Sequence, residues 1–108
     1  MFARVLEFEL KHEKKEEFVR IVKSEVLPLM KKQIGFLEVL PFFPEKAKEP
    51  TALTISLWAS RTDAERYERE TYPKVYDLLK PYLATPITVR PYTVETKLCE
   101  HFVAALAA

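Results

Sequence analysis

The chain has 108 residues, of which 48% are hydrophobic and 31% charged, and its formal net charge is +1. That length makes one domain, and a globule of this size buries about two thirds of the surface its unfolded chain exposes. The near-neutral balance provides no field for nucleic acid or an anionic membrane, no apolar run reaches the roughly 20 residues needed to span a bilayer, and the single cysteine, Cys99, leaves no internal disulfide.

The first residues already alternate: Phe2, Arg4, Leu6, Phe8 and Leu10 against Ala3, Val5, Glu7 and Glu9, which predicts a strand rather than a signal peptide. With one cysteine and no other address, the expected compartment is the cytoplasm. Lys11 to Lys15 is a charged link carrying His12. From Glu16 the period becomes helical, with Phe18, Ile21, Val22, Val26, Leu29 and Met30 on one side. Pro28 interrupts this pattern and is expected to kink the last turns. Gly35, the only glycine, stands where a helix end needs positive φ. A second strand, Phe36 to Phe43, leads into a polar loop bounded by Pro44 and Pro50.

Leu53 to Tyr67 is the most informative stretch. Leu53, Ile55 and Leu57 point to one side of a strand, and Thr54, Ser56 and Trp58 to the other. Thr62 or Asp63 can cap the helix that follows. A strand face with two hydroxyls and the only tryptophan suits a cavity wall. The helical region runs from Asp63 to about Leu83 and is expected to split at Pro73. A fourth strand spans Ile87 to Lys97, and Pro91 assigns it to a sheet edge or a bulge. Residues 1–98 form the domain, and 99–108 a short apolar tail with helical character.

The order β-α-β-β-α-β predicts an α+β, ferredoxin-like fold, a four-stranded antiparallel sheet with two helices on one face. Two helices cannot cover both faces. The uncovered face includes Trp58 if Leu53, Ile55 and Leu57 look toward the helices, and an apolar uncovered face needs a partner. A homodimer joined through that face is therefore expected, with a cavity where the sheet curves.

Several of these residues resemble the antibiotic biosynthesis monooxygenase-like domain, a branch of the dimeric α+β barrel superfamily. They are Ile34-Gly35-Phe36 before strand two, Trp58 closing strand three, Asp63 to Tyr67 opening the second helix, and Pro91-Tyr92-Thr93-Val94 in strand four. The resemblance covers residues 2 to 97. It implies a dimeric α/β barrel and a cofactor-independent monooxygenase acting on a small hydrophobic phenolic or quinol substrate. In such enzymes the deprotonated substrate passes an electron to dioxygen, beside hydrogen-bond donors and a dry aromatic wall.

The quinone-forming members pair the strand-three tryptophan with an asparagine four residues earlier, which here is Thr54; a hydroxyl donates one hydrogen bond but does not copy an amide. Haem-degrading members need an asparagine, a tryptophan and a histidine. This chain has no asparagine, and the latter two positions are Tyr67 and Asp77. No cofactor is expected, haem included. Other members use a histidine, but His12 and His101 fall outside the strands.

The candidate substrate-binding residues are Trp58 and Tyr92 as aromatic walls, Thr54 and Arg90 as polar contacts, and Tyr67 or Tyr72 at the mouth. Trp58 suits a dimer-interface anchor equally well. Phe42 and Phe43 suit strand-end packing better than a lid, and Glu7 and Glu9 suit exposure better than a buried base. No residue stands out as a general base, and Cys99 beside Glu100 is no nucleophile. No glycine-rich loop, zinc pattern or basic aromatic face is present. The alternative is a non-catalytic dimeric barrel that binds a small hydrophobic molecule or serves assembly.

Overall fold

A computed structural model describes residues 1–46 and 48–99. The four strands are β1 (Phe2–Glu9), β2 (Phe36–Phe42), β3 (Thr51–Trp58) and β4 (Thr88–Thr93). They form one antiparallel sheet in the order β2-β3-β1-β4. Helices α1 (Lys15–Ile21) and α2 (Leu27–Lys31) lie between β1 and β2, and α3 (Arg61–Glu70) and α4 (Tyr72–Leu79) between β3 and β4. The ferredoxin-like architecture expected from the alternation is the one present.

The prolines explain the details. Both edge strands carry one, Pro41 in β2 and Pro91 in β4, because an edge tolerates a residue that cannot donate to the ladder. Ahead of Pro28 the helix widens into a π turn over Val22–Val26, where the Leu27 N–H donates to the Val22 carbonyl. Pro28 lacks an N–H, and in an unbroken α-helix its ring would press on the carbonyl four residues back, so the widened turn absorbs the misfit that predicted a kink. Pro73 lies in the first turn of α4, and the break falls at Thr71, with φ −120° and ψ −37°. The Thr71 hydroxyl donates to Gln33 Oε1 at 2.9 Å, tying that break to the end of α2.

Two boundaries differ from expectation. Helix α3 starts earlier, at Arg61, because Ser60 is extended and its hydroxyl accepts the Asp63 N–H at 3.1 Å. Ser60, rather than Thr62 or Asp63, is therefore the cap. Strand β4 ends at Thr93, after which the Val94 N–H reaches the Met1 carbonyl and the chain turns tightly over Thr96–Leu98. Of the expected tail, all but Cys99 lies outside the described residues, as does His101.

The register decides which face is covered. Phe2 pairs with Trp58, Leu6 with Thr54 and Phe8 with Ala52, and these strand positions join Phe18, Val26, Met30, Tyr67, Val75 and Leu79 in one core. Trp58 is fully buried. The condition that would have placed it on the uncovered face is not met: Thr54, Ser56 and Trp58 face the helices. Leu53, Ile55 and Leu57 therefore face outward, beside Ala3, Val5, Leu40 and Phe42. Leu40 is 41% exposed, Phe42 49% and Tyr92 51%. The outer face is thus the more aliphatic one.

Gly35 carries φ +82°. A side chain there would overlap the Asp63 carboxyl, while the Gly35 carbonyl accepts the Ala59 N–H at 2.8 Å. The glycine lets the end of β3 and the start of α3 close onto the turn before β2.

Candidate functional site

Between the sheet and the helices lies a cavity of about 330 Å³. Its floor is Arg4, Leu6 and Phe8 of β1 with Thr54 and Ser56 of β3, and its roof includes Val22, Val26 and Met30. The π turn thus supplies part of the wall. Tyr67, Val75 and Leu79 line it from α3 and α4. Lys31, Glu38 and Pro41 also line it and are exposed, so it opens between α2 and the edge strand β2. A register shift between Phe36 and Glu38 turns the strand locally, as bulges do, and both Glu38 and Val39 border the opening. From β2 to β1 is two strand spacings, so Arg4 lies roughly 10 Å inward.

Arg4 is the exceptional residue. It is 2% exposed, and its Nε and Nη2 have no hydrogen-bond partner. Its nearest carboxylate is Glu68 Oε1, 3.8 Å from Nη2, too far for a hydrogen bond. Its guanidinium carbon lies 5.0 Å from the Tyr67 ring centre and 4.5 Å from that of Tyr72. Those rings offset part of the charge but leave Nε and Nη2 without an acceptor. A charge held out of water without full pairing is costly. Nothing in the sequence reading singles out Arg4, although a lone cation in the register Phe2, Arg4, Leu6, Phe8 was the available signal.

Tyr67 is 2% exposed. Burial pushes its phenol up to about 12, against the pull of the Arg4 guanidinium. Burial likewise raises Tyr72, again opposed by Arg4. Both phenols are protonated at neutral pH and can donate. Tyr67 stacks on Trp58 with centroids 4.8 Å apart, and Trp58 Nε1 donates to the Ser56 hydroxyl at 3.0 Å.

The structure brings some of the candidate residues together and separates others. Thr54 and Tyr67 line the cavity. Trp58 sits one layer behind it, against Tyr67 and, with centroids 5.6 Å apart, Phe36. Tyr72 contacts Arg4 rather than the cavity. Arg90 and Tyr92 stand on the opposite face, opposite Val5 and Ala3, where Arg90 pairs with Glu7. Phe43 packs on Phe18 at 6.3 Å, and His12 is 93% exposed beside Glu13. Among the described residues no cluster of histidine, cysteine and carboxylate could hold a metal, and no helix is long and apolar enough to cross a membrane.

No family model matches the sequence, and no curated protein matches it significantly. Solved structures do match in fold. SnoaB, a cofactor-independent oxygenase from Streptomyces nogalater, superimposes with a TM-score of 0.70 at 16% identity, over 91% of this chain and 96% of that one. A structure called antibiotic biosynthesis monooxygenase gives 0.67 at 16% identity, over 87% and 98%. A conserved protein from Methanosarcina mazei Go1 gives 0.68 at 17% identity, over 88% and 94%. The chain therefore has the fold seen in the antibiotic biosynthesis monooxygenase structures.

Proposed function

We propose that the protein is a cofactor-independent monooxygenase acting on a small hydrophobic phenolic or quinol substrate. The observation that carries this reading is the Arg4–Tyr67 pair set in the wall of an otherwise largely apolar cavity. The substrate's ring occupies the apolar volume, and Thr54 and Ser56 offer hydroxyls on the floor. Loss of a proton from an activated C–H to solvent water leaves one negative charge shared between that carbon and a conjugated oxygen, the carbanion and oxyanion forms of a single anion. Tyr67, still protonated, donates to that oxyanion, and the Arg4 charge stabilises it in a low-dielectric site. The carbanion passes one electron to dioxygen, and the substrate radical and superoxide combine to form the C–O bond. With one proton taken up, the resulting hydroperoxide loses water across the O–O bond and the remaining C–H, leaving the carbonyl. One dioxygen thus converts CH₂ to C=O and H₂O.

The second reading is a hydrophobic-ligand binding protein without catalysis. It is favoured by the lack of an internal proton acceptor among the described residues: of these the only carboxylate on the cavity wall is Glu38 at the mouth, and Glu38 Oε1 already accepts the Val39 N–H at 3.0 Å. Oxygen uptake with a panel of anthrones and naphthoquinols separates the two. The monooxygenase reading expects uptake above autoxidation, with kcat reduced roughly 10- to 100-fold in Tyr67→Phe. Saturable ligand binding with no added uptake establishes the second reading.

The outer face supports a homodimer, forming the dimeric α/β barrel, because its exposed leucine, phenylalanine and tyrosine side chains remain in water in a single copy. A cytoplasmic location remains the reading of the single cysteine.

A further inference from the structure

Arg4 holds an unused recognition element. Nε and Nη2, the two nitrogens without partners, form one edge of the guanidinium, whose N–H bonds run parallel. That edge matches two oxygens sharing one negative charge, the geometry of a carboxylate. A lone phenol hydroxyl would satisfy only half of it. The nearest carboxylate among the described residues, that of Glu68, stops 3.8 Å from Nη2 with its side chain 51% exposed, so it remains largely hydrated. Most residues lining the rest of the cavity, among them Leu6, Phe8, Val26 and Met30, are apolar, and its mouth lies at the far side, by Lys31 and Glu38. The arrangement therefore offers a cation deep within an apolar volume.

We propose that the cavity recognises hydrophobic carboxylic acids, aromatic acids being the fitting class, with the carboxylate drawn to the Arg4 guanidinium, whose Nε–Nη2 edge is closed off in this structure and is reached by a shift of the side chain, and the ring directed toward β2. The proposal rests on the reading above only in taking this cavity as the ligand site. It narrows the substrate to a phenolic or quinol acid that enters carboxylate first. Tyr67 remains free to donate to the reacting oxygen, and for such an acid Arg4 binds and orients the carboxylate instead of stabilising the oxyanion directly.

The test is calorimetric titration of the whole chain with 2-naphthoate and with 2-naphthamide, a neutral analogue of nearly the same shape. Naphthoate is expected to bind at least about tenfold more tightly, since charge-assisted bidentate bonds are about twice as strong as neutral ones. Arg4→Met is expected to abolish that preference and to raise the melting temperature, because it removes an unpaired buried charge. Glu68→Gln is expected to tighten naphthoate binding by removing the competing carboxylate.

Equal affinity for the two probes, binding of neither at millimolar concentration, or a preference that survives Arg4→Met overturns the proposal. The wild-type comparison decides even if Arg4→Met does not fold. Neither probe carries an oxidisable phenol, so failure here leaves the monooxygenase reading standing. Absence of oxygen uptake with quinols, conversely, leaves this proposal intact.

Discussion

Trp58 and Ser56 are joined by a buried hydrogen bond of 3.0 Å, and Ser56 also lines the cavity. The indole is thus one hydrogen bond from any ligand while remaining out of its reach. Ser56→Ala leaves the indole N–H unpaired in the core and is expected to cost about 1–3 kcal/mol, read as a lower urea midpoint. In the wild type, Trp58 fluorescence is expected to respond to ligand as a saturable shift or quench through Ser56 and Tyr67. A Trp58→Phe control reports the inner-filter contribution.

Tyr67 makes stability depend on alkaline pH. An unfolded tyrosine ionises near 10, whereas folded Tyr67 keeps its proton to about 12. Between those values the folded state binds more protons than the unfolded one, so stability falls as pH rises. The contribution is complete below pH 10 and is lost by about pH 12, amounting to about 3 kcal/mol. Urea titrations at closely spaced alkaline pH values should show a shallower decline for Tyr67→Phe, and the difference between the two proteins removes the shared effect of lysine ionisation. Identical slopes would refute the assignment.

Gly35→Ala is expected to destabilise by about 2–3 kcal/mol, since it combines an unfavourable positive φ with overlap against Asp63. Adding Asp63→Gly to that variant removes the overlap, including that with the Asp63 Cβ at 2.5 Å, but leaves the backbone cost. Denaturation midpoints of the single and double variants measure the two parts separately.

Ser60→Ala removes the side-chain acceptor for the Asp63 N–H at the start of α3. The expected cost is about 1 kcal/mol, again from the urea midpoint. Thr62→Ala, at a position that does not cap, should change it by less than about 0.5 kcal/mol.

On the outer face, Ile55 lies between Val5 and Leu40 in adjacent strands. Ile55→Glu is expected to convert a dimer to a monomer in sedimentation velocity while leaving the fold intact by circular dichroism. A wild-type protein that sediments as a monomer at all concentrations would remove the dimer reading.

The order of strands and helices along the chain was legible because the alternation in β1 and β3 and the helical spacing from Phe18 to Met30 are local patterns. The edge positions were legible for the same reason at Pro91, whose missing donor restricts where it can sit. The covered face was not legible. Two alternating rows, Leu53-Ile55-Leu57 and Thr54-Ser56-Trp58, each have reason to be buried, and only pairing with Phe2, Leu6 and Phe8 decides between them. Arg4 was hidden for a related reason: its significance lies in partners it lacks, and a sequence shows only residues that are present. Ser60 lost to Thr62 and Asp63 because all three residue types cap helices, and backbone conformation makes the choice.

The sheet separates two sets of residues that share the same strands. Even-numbered positions of β1 face the helices and the cavity, and odd-numbered ones face the outer surface. Variation at Leu6 or Thr54 reshapes the cavity without altering the outer surface, and variation at Val5 or Ile55 does the reverse. Cavity and outer surface can therefore vary as separate traits, provided no insertion or deletion shifts the strand by one residue and exchanges the two sets.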